Sequence, residues 1–161
     1  MKTMIAYASK TGTTQKCAQM LAERIQEATL VDLTKEKPNP AQYDVVIVGG
    51  SVRMGVLHVD ARQYLDGAKP LLLQKRLGIF LCAGFDAQKE KLFANNVDPE
   101  LLQHAVCHEC FGGEIHMEKL HGFEKLVTRM VIKSGKSDPS SLPKLFPERI
   151  DRFAQEMQMG E

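Results

Sequence analysis

Long apolar runs, a surplus of charge and a cysteine framework are all missing from these 161 residues. No stretch reaches the length of about 18 consecutive apolar residues that crosses a bilayer, so no membrane span is expected. Lysine and arginine total 21 against 20 aspartates and glutamates, a formal net charge of +1. That balance gives no reason to expect a nucleic acid or a strongly acidic partner. The four cysteines, Cys17, Cys82, Cys107 and Cys110, are too few for a disulfide scaffold and read as free thiols. The opening MKTMIAYASKTG has neither the longer apolar region nor the small-residue cleavage site of a secretory signal, so a cytoplasmic location is expected. Internal repeats and a dividing linker are missing too, and the length suits one domain over residues 1–161.

What is present is an alternation of two hydrophobic periods. Thr3 to Ala8, TMIAYA, is an apolar run of strand length. From Thr14 the period becomes helical, with Cys17, Ala18, Leu21, Ala22 and Ile25 at spacings of three and four. Thr13 or Thr14 is the expected cap of that helix. The stretch ATLVDL and a proline-bearing loop, KEKPNPAQ, come next. Tyr43 to Gly50, YDVVIVGG, reads as a central parallel strand, continuously apolar and closed by two glycines. Further helices are expected at His58–Gly67, Lys89–Asn95, Pro99–His104, Lys119–Lys133 and Pro147–Met157, the last with proline in a tolerated first-turn position. Lys75–Ala83 and Ala105–Phe111 supply the fourth and fifth strands. The expected fold is α/β: a doubly wound five-stranded parallel sheet with helices on both faces.

Ligands of such sheets sit beyond the carboxyl ends of the strands. Three segments emerge there: SKTGTT after the first strand, SVRMG after the third and CAGFD after the fourth. SKTGTT is dense in donors. Ser9, Thr11, Thr13 and Thr14 bring hydroxyls, Gly12 permits a tight turn, and the following helix offers unpaired amides and a favourable dipole to an anion. A turn that merely caps the helix is the alternative. Placement after the first strand of an alternating chain favours a phosphate. A nucleoside-triphosphatase loop needs Gly-Lys-Ser/Thr, and here Thr13 follows Gly12. The dinucleotide signature G-x-G-x-x-G is absent from the same turn. The third strand ends in Gly49, Gly50 and Ser51 rather than the aspartate of a phospho-accepting receiver.

SKTGTT matches the flavodoxin phosphate loop, [ST]-x-T-G-x-T, at every defined position, and the chain resembles the flavodoxin family over nearly its whole length. YDVVIVGGSVRMGVLH and MVIKSGKSD look most like the menaquinone-dependent protoporphyrinogen dehydrogenases within it. The resemblance implies that Ser9, Lys10, Thr11, Gly12, Thr13 and Thr14 hold the phosphate of FMN. It further implies that Ser51, Val52, Arg53, Met54 and Gly55 run along one side of the flavin ring, and Cys82, Ala83, Gly84 and Phe85 along the other. Flavodoxins often wall that ring with tryptophan and tyrosine. This chain has no tryptophan, and Met54 stands where the closer relatives are expected to have tyrosine, so Met54 and Phe85 are the expected walls. Phe85 folded into the core is the alternative. No side-chain nucleophile and no metal is expected; the chemistry is the flavin's. The implied activity is an oxidoreductase step, protoporphyrinogen with a quinone acceptor being the specific candidate. A small electron carrier that docks to redox partner proteins is the rival.

Arg53 is the most informative charge. At a separation of ~4 Å and an effective dielectric near 20, a guanidinium beside the ring contributes about 4 kcal/mol before desolvation. Its sign favours the reduced, anionic cofactor. Arg53 directed to solvent is the alternative. CHEC, at Cys107 to Cys110, lies in a strand reading, where residues three apart face opposite ways and core thiols are expected. His58 reads as a helix-start histidine, with proton carriage as the alternative. On the helix at Lys119–Lys133, Lys119, Lys125, Arg129 and Lys133 fall away from the apolar stripe. That basic face reads as solvated, or as a peripheral contact with anionic lipid at the inner face of a membrane.

Overall fold

The structure is a computed structural model that describes residues 1–84, 88–113 and 144–159. In chain order its elements are β1 (Thr3–Ala8), α1 (Thr13–Arg24), β2 (Ala28–Asp32), β3 (Val45–Arg53), β4 (Val56–Leu57), α2 (Val59–Gly67), α3 (Lys69–Leu72), β5 (Arg76–Ala83), α4 (Lys89–Asn96), α5 (Pro99–His104), β6 (Cys107–Cys110) and α6 (Pro147–Gln158). Five strands lie in the order β2-β1-β3-β5-β6, each neighbouring pair parallel. The expected parallel sheet is present, with one addition: β4 pairs antiparallel with the end of β3.

Strand β1 is buried along its whole length because helices cover both faces of the sheet, and strand parity divides its side chains between them. Met4, Ala6 and Ala8 join one core cluster, while Ile5 and Tyr7 join the other. Ala61, Tyr64 and Leu65 of α2, Leu72 of α3, Phe93 of α4 and Leu101 of α5 complete the first cluster. Cys17, Ala18 and Leu21 of α1 and Ile150, Phe153 and Met157 of α6 complete the second. There Phe80 stacks on Phe111 with ring centroids 4.9 Å apart, and Phe153 meets Phe111 edge-on.

Several boundaries differ from the sequence reading. The third strand does not stop at Gly50 but continues to Arg53, because β4 folds back and supplies a ladder for the extra residues. The fifth strand shortens to Cys107–Cys110. Cys107 packs against the α1/α6 cluster and Cys110 lies in the opposite one, so the two thiols diverge, and neither is in a disulfide. Among the described residues no helix is long and apolar enough to cross a membrane. Phe85, the basic helix expected at Lys119–Lys133 and the loop SGKSDPSSLP lie outside the described residues.

Candidate functional site

The turn after β1 is built on Gly12, which caps α1 with φ 101° and ψ −13°. Neither threonine is the cap: a β-branched residue does not tolerate that backbone, whereas glycine does. Thr13 and Thr14 are instead the first helical residues, and both are buried. Ser9 Oγ accepts the Gly12 N–H at 3.0 Å, and Lys16 N–H donates to the Gly12 carbonyl at 3.0 Å. The turn is thus closed on itself, leaving the Ser9 hydroxyl hydrogen to point elsewhere. The first turn of α1 contains no acidic residue, so no carboxylate competes with an anion at the positive end of the helix.

Thr14 is the informative side chain. It has 0% exposure, and its Oγ1 has no partner beyond a neighbouring thiol. Its polar neighbour is the Cys82 thiol, a weak partner at best. Contact with Cys17, followed by burial, pushes the Cys82 thiol well up from its usual range and keeps it protonated. A buried hydroxyl without an ordinary partner costs about 1–3 kcal/mol, which is the signature of a group waiting for a ligand.

The second segment, SVRMG, is a β-hairpin rather than a loop. Ser51, Val52 and Arg53 belong to β3; Val52 pairs with Leu57 and Arg53 with Val56. Met54 (φ 53°) and Gly55 (φ 80°) make the two-residue turn, with positive φ at both positions as a type I′ hairpin requires. Asn-Gly is the usual signal for such a turn, and methionine in its first position hides it. The left-handed conformation of Met54 carries strain of about 1 kcal/mol or more. Its side chain is 66% exposed, beside Val56 and Val59, each 59% exposed. His58 N–H closes the hairpin base on the Ser51 carbonyl at 2.8 Å. The His58 ring caps α2 as expected: Nδ1 accepts the Asp60 N–H at 3.1 Å. Ser51 Oγ is buried without a hydrogen bond.

The sheet register brings the segments together. Ala8 of β1 pairs with Gly50, and Ser51 pairs with Cys82 of β5. A cleft of about 460 Å³ opens between the first turn and the hairpin, lined by Ser9 and Lys10 on one side and Ser51, Arg53 and Val56 on the other. His58 and Val59, absent from the sequence reading of the ring site, complete it. Among the described residues, two cations and no carboxylate line this cleft. The third segment contributes differently. Cys82 and Ala83 are buried in β5, and Gly84 follows them half-buried. Gly113 packs there as well; a Cβ on it would come within 2.9 Å of the Ala83–Gly84 peptide. A second cleft, of about 370 Å³, runs along β6; in it Lys89 pairs with Glu109 at 3.1 Å and His108 lies 3.5 Å from Glu90. Burial, with Glu156 nearby, pushes its Cys107 thiol up to about 12, which removes it as a nucleophile.

A flavin mononucleotide fits the first cleft on three counts. The glycine-capped helix end beside it suits its phosphate, the orphaned Ser51 hydroxyl on its wall lacks a partner it would supply, and Val56 and Val59 offer apolar surface.

Comparison with known proteins agrees with this geometry. A family model described as Flavodoxin domain matches residues 4–141. The fold is similar to flavodoxin 1 from Bacillus cereus, at 15% identity over 100% of this chain and 99% of that one, with a TM-score of 0.59. It is also similar to a short-chain flavodoxin associated with a non-canonical PDU bacterial microcompartment: 14% identity, 98% of this chain, 97% of that one, TM-score 0.61. A flavoprotein from Lactobacillus acidophilus NCFM in complex with FMN matches 68% of this chain and 92% of its own length, at 16% identity and TM-score 0.52. No curated protein matches the sequence.

Proposed function

Because the chain belongs to the flavodoxin domain family, we propose that it binds FMN non-covalently and works as a flavin oxidoreductase. The observation that carries this reading is the fully buried hydroxyl of Thr14 at the amino end of α1, with only the Cys82 thiol beside it. Bound FMN supplies reversible two-electron chemistry; the protein supplies position and field. Ser9 and Thr14 donate to the phosphate, with Gly12 letting the backbone approach. Arg53 and Lys10 set a positive potential along the cleft. Titration of flavin-free protein with FMN, followed by the visible spectrum and fluorescence quenching, tests the reading; a folded protein that takes up no FMN at micromolar supply refutes it.

The finer proposal is oxidation of protoporphyrinogen with a quinone as final acceptor. It is supported by the resemblance of SVRMGVLH to that branch and by a cleft whose cations suit a carboxylate-bearing substrate. Anaerobic mixing with protoporphyrinogen and a menaquinone analogue, followed by porphyrin fluorescence, is the assay. The exposed apolar rim of Met54, Val56 and Val59 favours a second reading, an electron carrier covered by a partner protein during transfer. Reduction by partner reductases, with no turnover of the porphyrinogen, selects the carrier. Contact of residues 119–133 with anionic lipid completes the proposal; equal liposome flotation with and without acidic lipid removes it.

A further inference from the structure

Met54 and Gly55 sit at the tip of a hairpin only two residue pairs long. Such a ladder is marginal alone, and its turn is strained at Met54. The tip is not held by packing: Met54 is mostly exposed, and a Cβ on Gly55 would meet nothing within 4 Å. What fixes it comes from another element. Asn96, at the end of α4 and 5% exposed, accepts the Leu57 N–H on Oδ1 at 2.9 Å. Its Nδ2 donates to the Gly55 carbonyl at 2.9 Å and to the Leu92 carbonyl at 2.8 Å. Both amide hydrogens are therefore used. The opposite amide orientation would set its oxygen against two carbonyls, so the network admits one arrangement.

We propose that Asn96 is a positioning residue for the cofactor cleft, clamping the Met54–Gly55 turn at the height at which it meets the flavin ring. A buried amide here is costly unless it does something specific; its neighbours Phe93 and Val97 show that the position lies in apolar surroundings. Helix α4 opens soon after the third segment and ends on the hairpin of the second, so the clamp also ties together the two segments that flank the ring. The inference rests on the FMN reading, and its test separates the two.

Three variants are compared with the unchanged protein: Asn96→Ala, Asn96→Asp, and Asn95→Ala as an exposed control on the same helix. In flavin-free protein, Asn96→Ala is expected to speed hydrogen exchange of the Leu57 amide about 10-fold, with amides of β1 unchanged. FMN affinity falls about 10-fold and the circular dichroism of bound flavin changes. Asn96→Asp keeps the acceptor for Leu57 but faces the Gly55 carbonyl with an oxygen, so Leu57 protection persists while FMN affinity falls. That split is one a merely structural role does not produce, and Asn96→Asp carries the test by itself should the alanine variant not fold. Unchanged Leu57 exchange in Asn96→Ala, or wild-type FMN affinity in Asn96→Asp, overturns the clamp. A wild-type protein that takes no FMN overturns the cofactor reading, and Leu57 exchange still decides whether Asn96 holds the hairpin.

Discussion

Replacing Thr14 with valine exchanges a hydroxyl for a methyl of nearly the same volume at a position with 0% exposure. In flavin-free protein that hydroxyl has no partner stronger than a thiol, so the substitution removes a desolvation cost of about 1–3 kcal/mol. The nearby Cys82 thiol compensates weakly, which puts the gain near the low end, about 1 kcal/mol. For a chain of this size that raises Tm by about 2–4 °C. With FMN present the sign reverses. A hydroxyl donating to a charged phosphate is worth about 1.5–3 kcal/mol, so valine weakens FMN binding by roughly 10- to 100-fold. Ligand binding stabilises the folded state by RT ln(1 + [L]/Kd). At saturating FMN the lost term exceeds the gain, and the variant melts below the wild type. Thermal melts of both proteins with and without FMN, together with fluorescence titrations, read the whole comparison. A flavin-free variant that melts lower shows that the hydroxyl is already satisfied. A raised Tm with unchanged FMN affinity shows that the phosphate lies elsewhere. Either result refutes the reasoning.

Three other outcomes are expected. Arg53→Ala removes one of the two cations that line the cleft among the described residues, so the two-electron potential of bound FMN falls by about 30–60 mV, each 30 mV being ~1.4 kcal/mol; an unchanged potential in spectroelectrochemistry rejects the role of Arg53. Gly49→Ala sets a Cβ about 2.0 Å from Cζ of Phe80, a ring already stacked on Phe111, and costs about 3 kcal/mol; a denaturant midpoint equal to wild type contradicts the packing. The Cys107 thiol is raised from 9.0 to about 12 in the folded protein, so the unfolded chain releases this proton first and stability is lost as pH climbs from about 9 towards 12. Discounted for partial exposure, Cys107→Ser recovers about 1 kcal/mol of that loss at pH 10 relative to pH 8; identical pH slopes in wild type and variant dismiss it. Tyr64, raised from 10.0 to about 12, adds its own loss only above pH 10.

The central strands β1, β3 and β5 were legible because each is an apolar run covered on both faces, and such runs differ visibly from the helical period between them. The donor-rich first turn was legible for a similar reason: hydroxyls and a glycine between strand and helix have few other uses. The cap was less so, because threonine and glycine both suit that role and only the backbone angle at Gly12 separates them. The hairpin escaped notice, since Met54 at positive φ is held by tertiary contacts and not by turn propensity. Asn96 gave no local signal at all. Its partners Gly55 and Leu57 are separated from it by 41 and 39 residues, and an asparagine at a helix end ordinarily reads as a terminator.

The charge around the cleft bears on which way electrons run. Among the described residues Lys10 and Arg53 line it and no carboxylate does, and the His58 Nδ1 is already committed to the Asp60 amide. Such a field favours whichever oxidation state of a bound flavin carries more negative charge, and that is the reduced one. Stabilising the reduced state raises the potential, which suits a protein that takes electrons from a substrate and hands them to an acceptor of still higher potential. A strong low-potential donor would need the opposite arrangement, acidic side chains crowding the ring. The +1 overall charge points the same way but weakly, because charges beyond a screening length of about 8–10 Å count for little. The distinction between enzyme and carrier therefore rests on residues 10 and 53 far more than on the sum over the chain, and reversing both charges is the perturbation that turns one kind of protein towards the other.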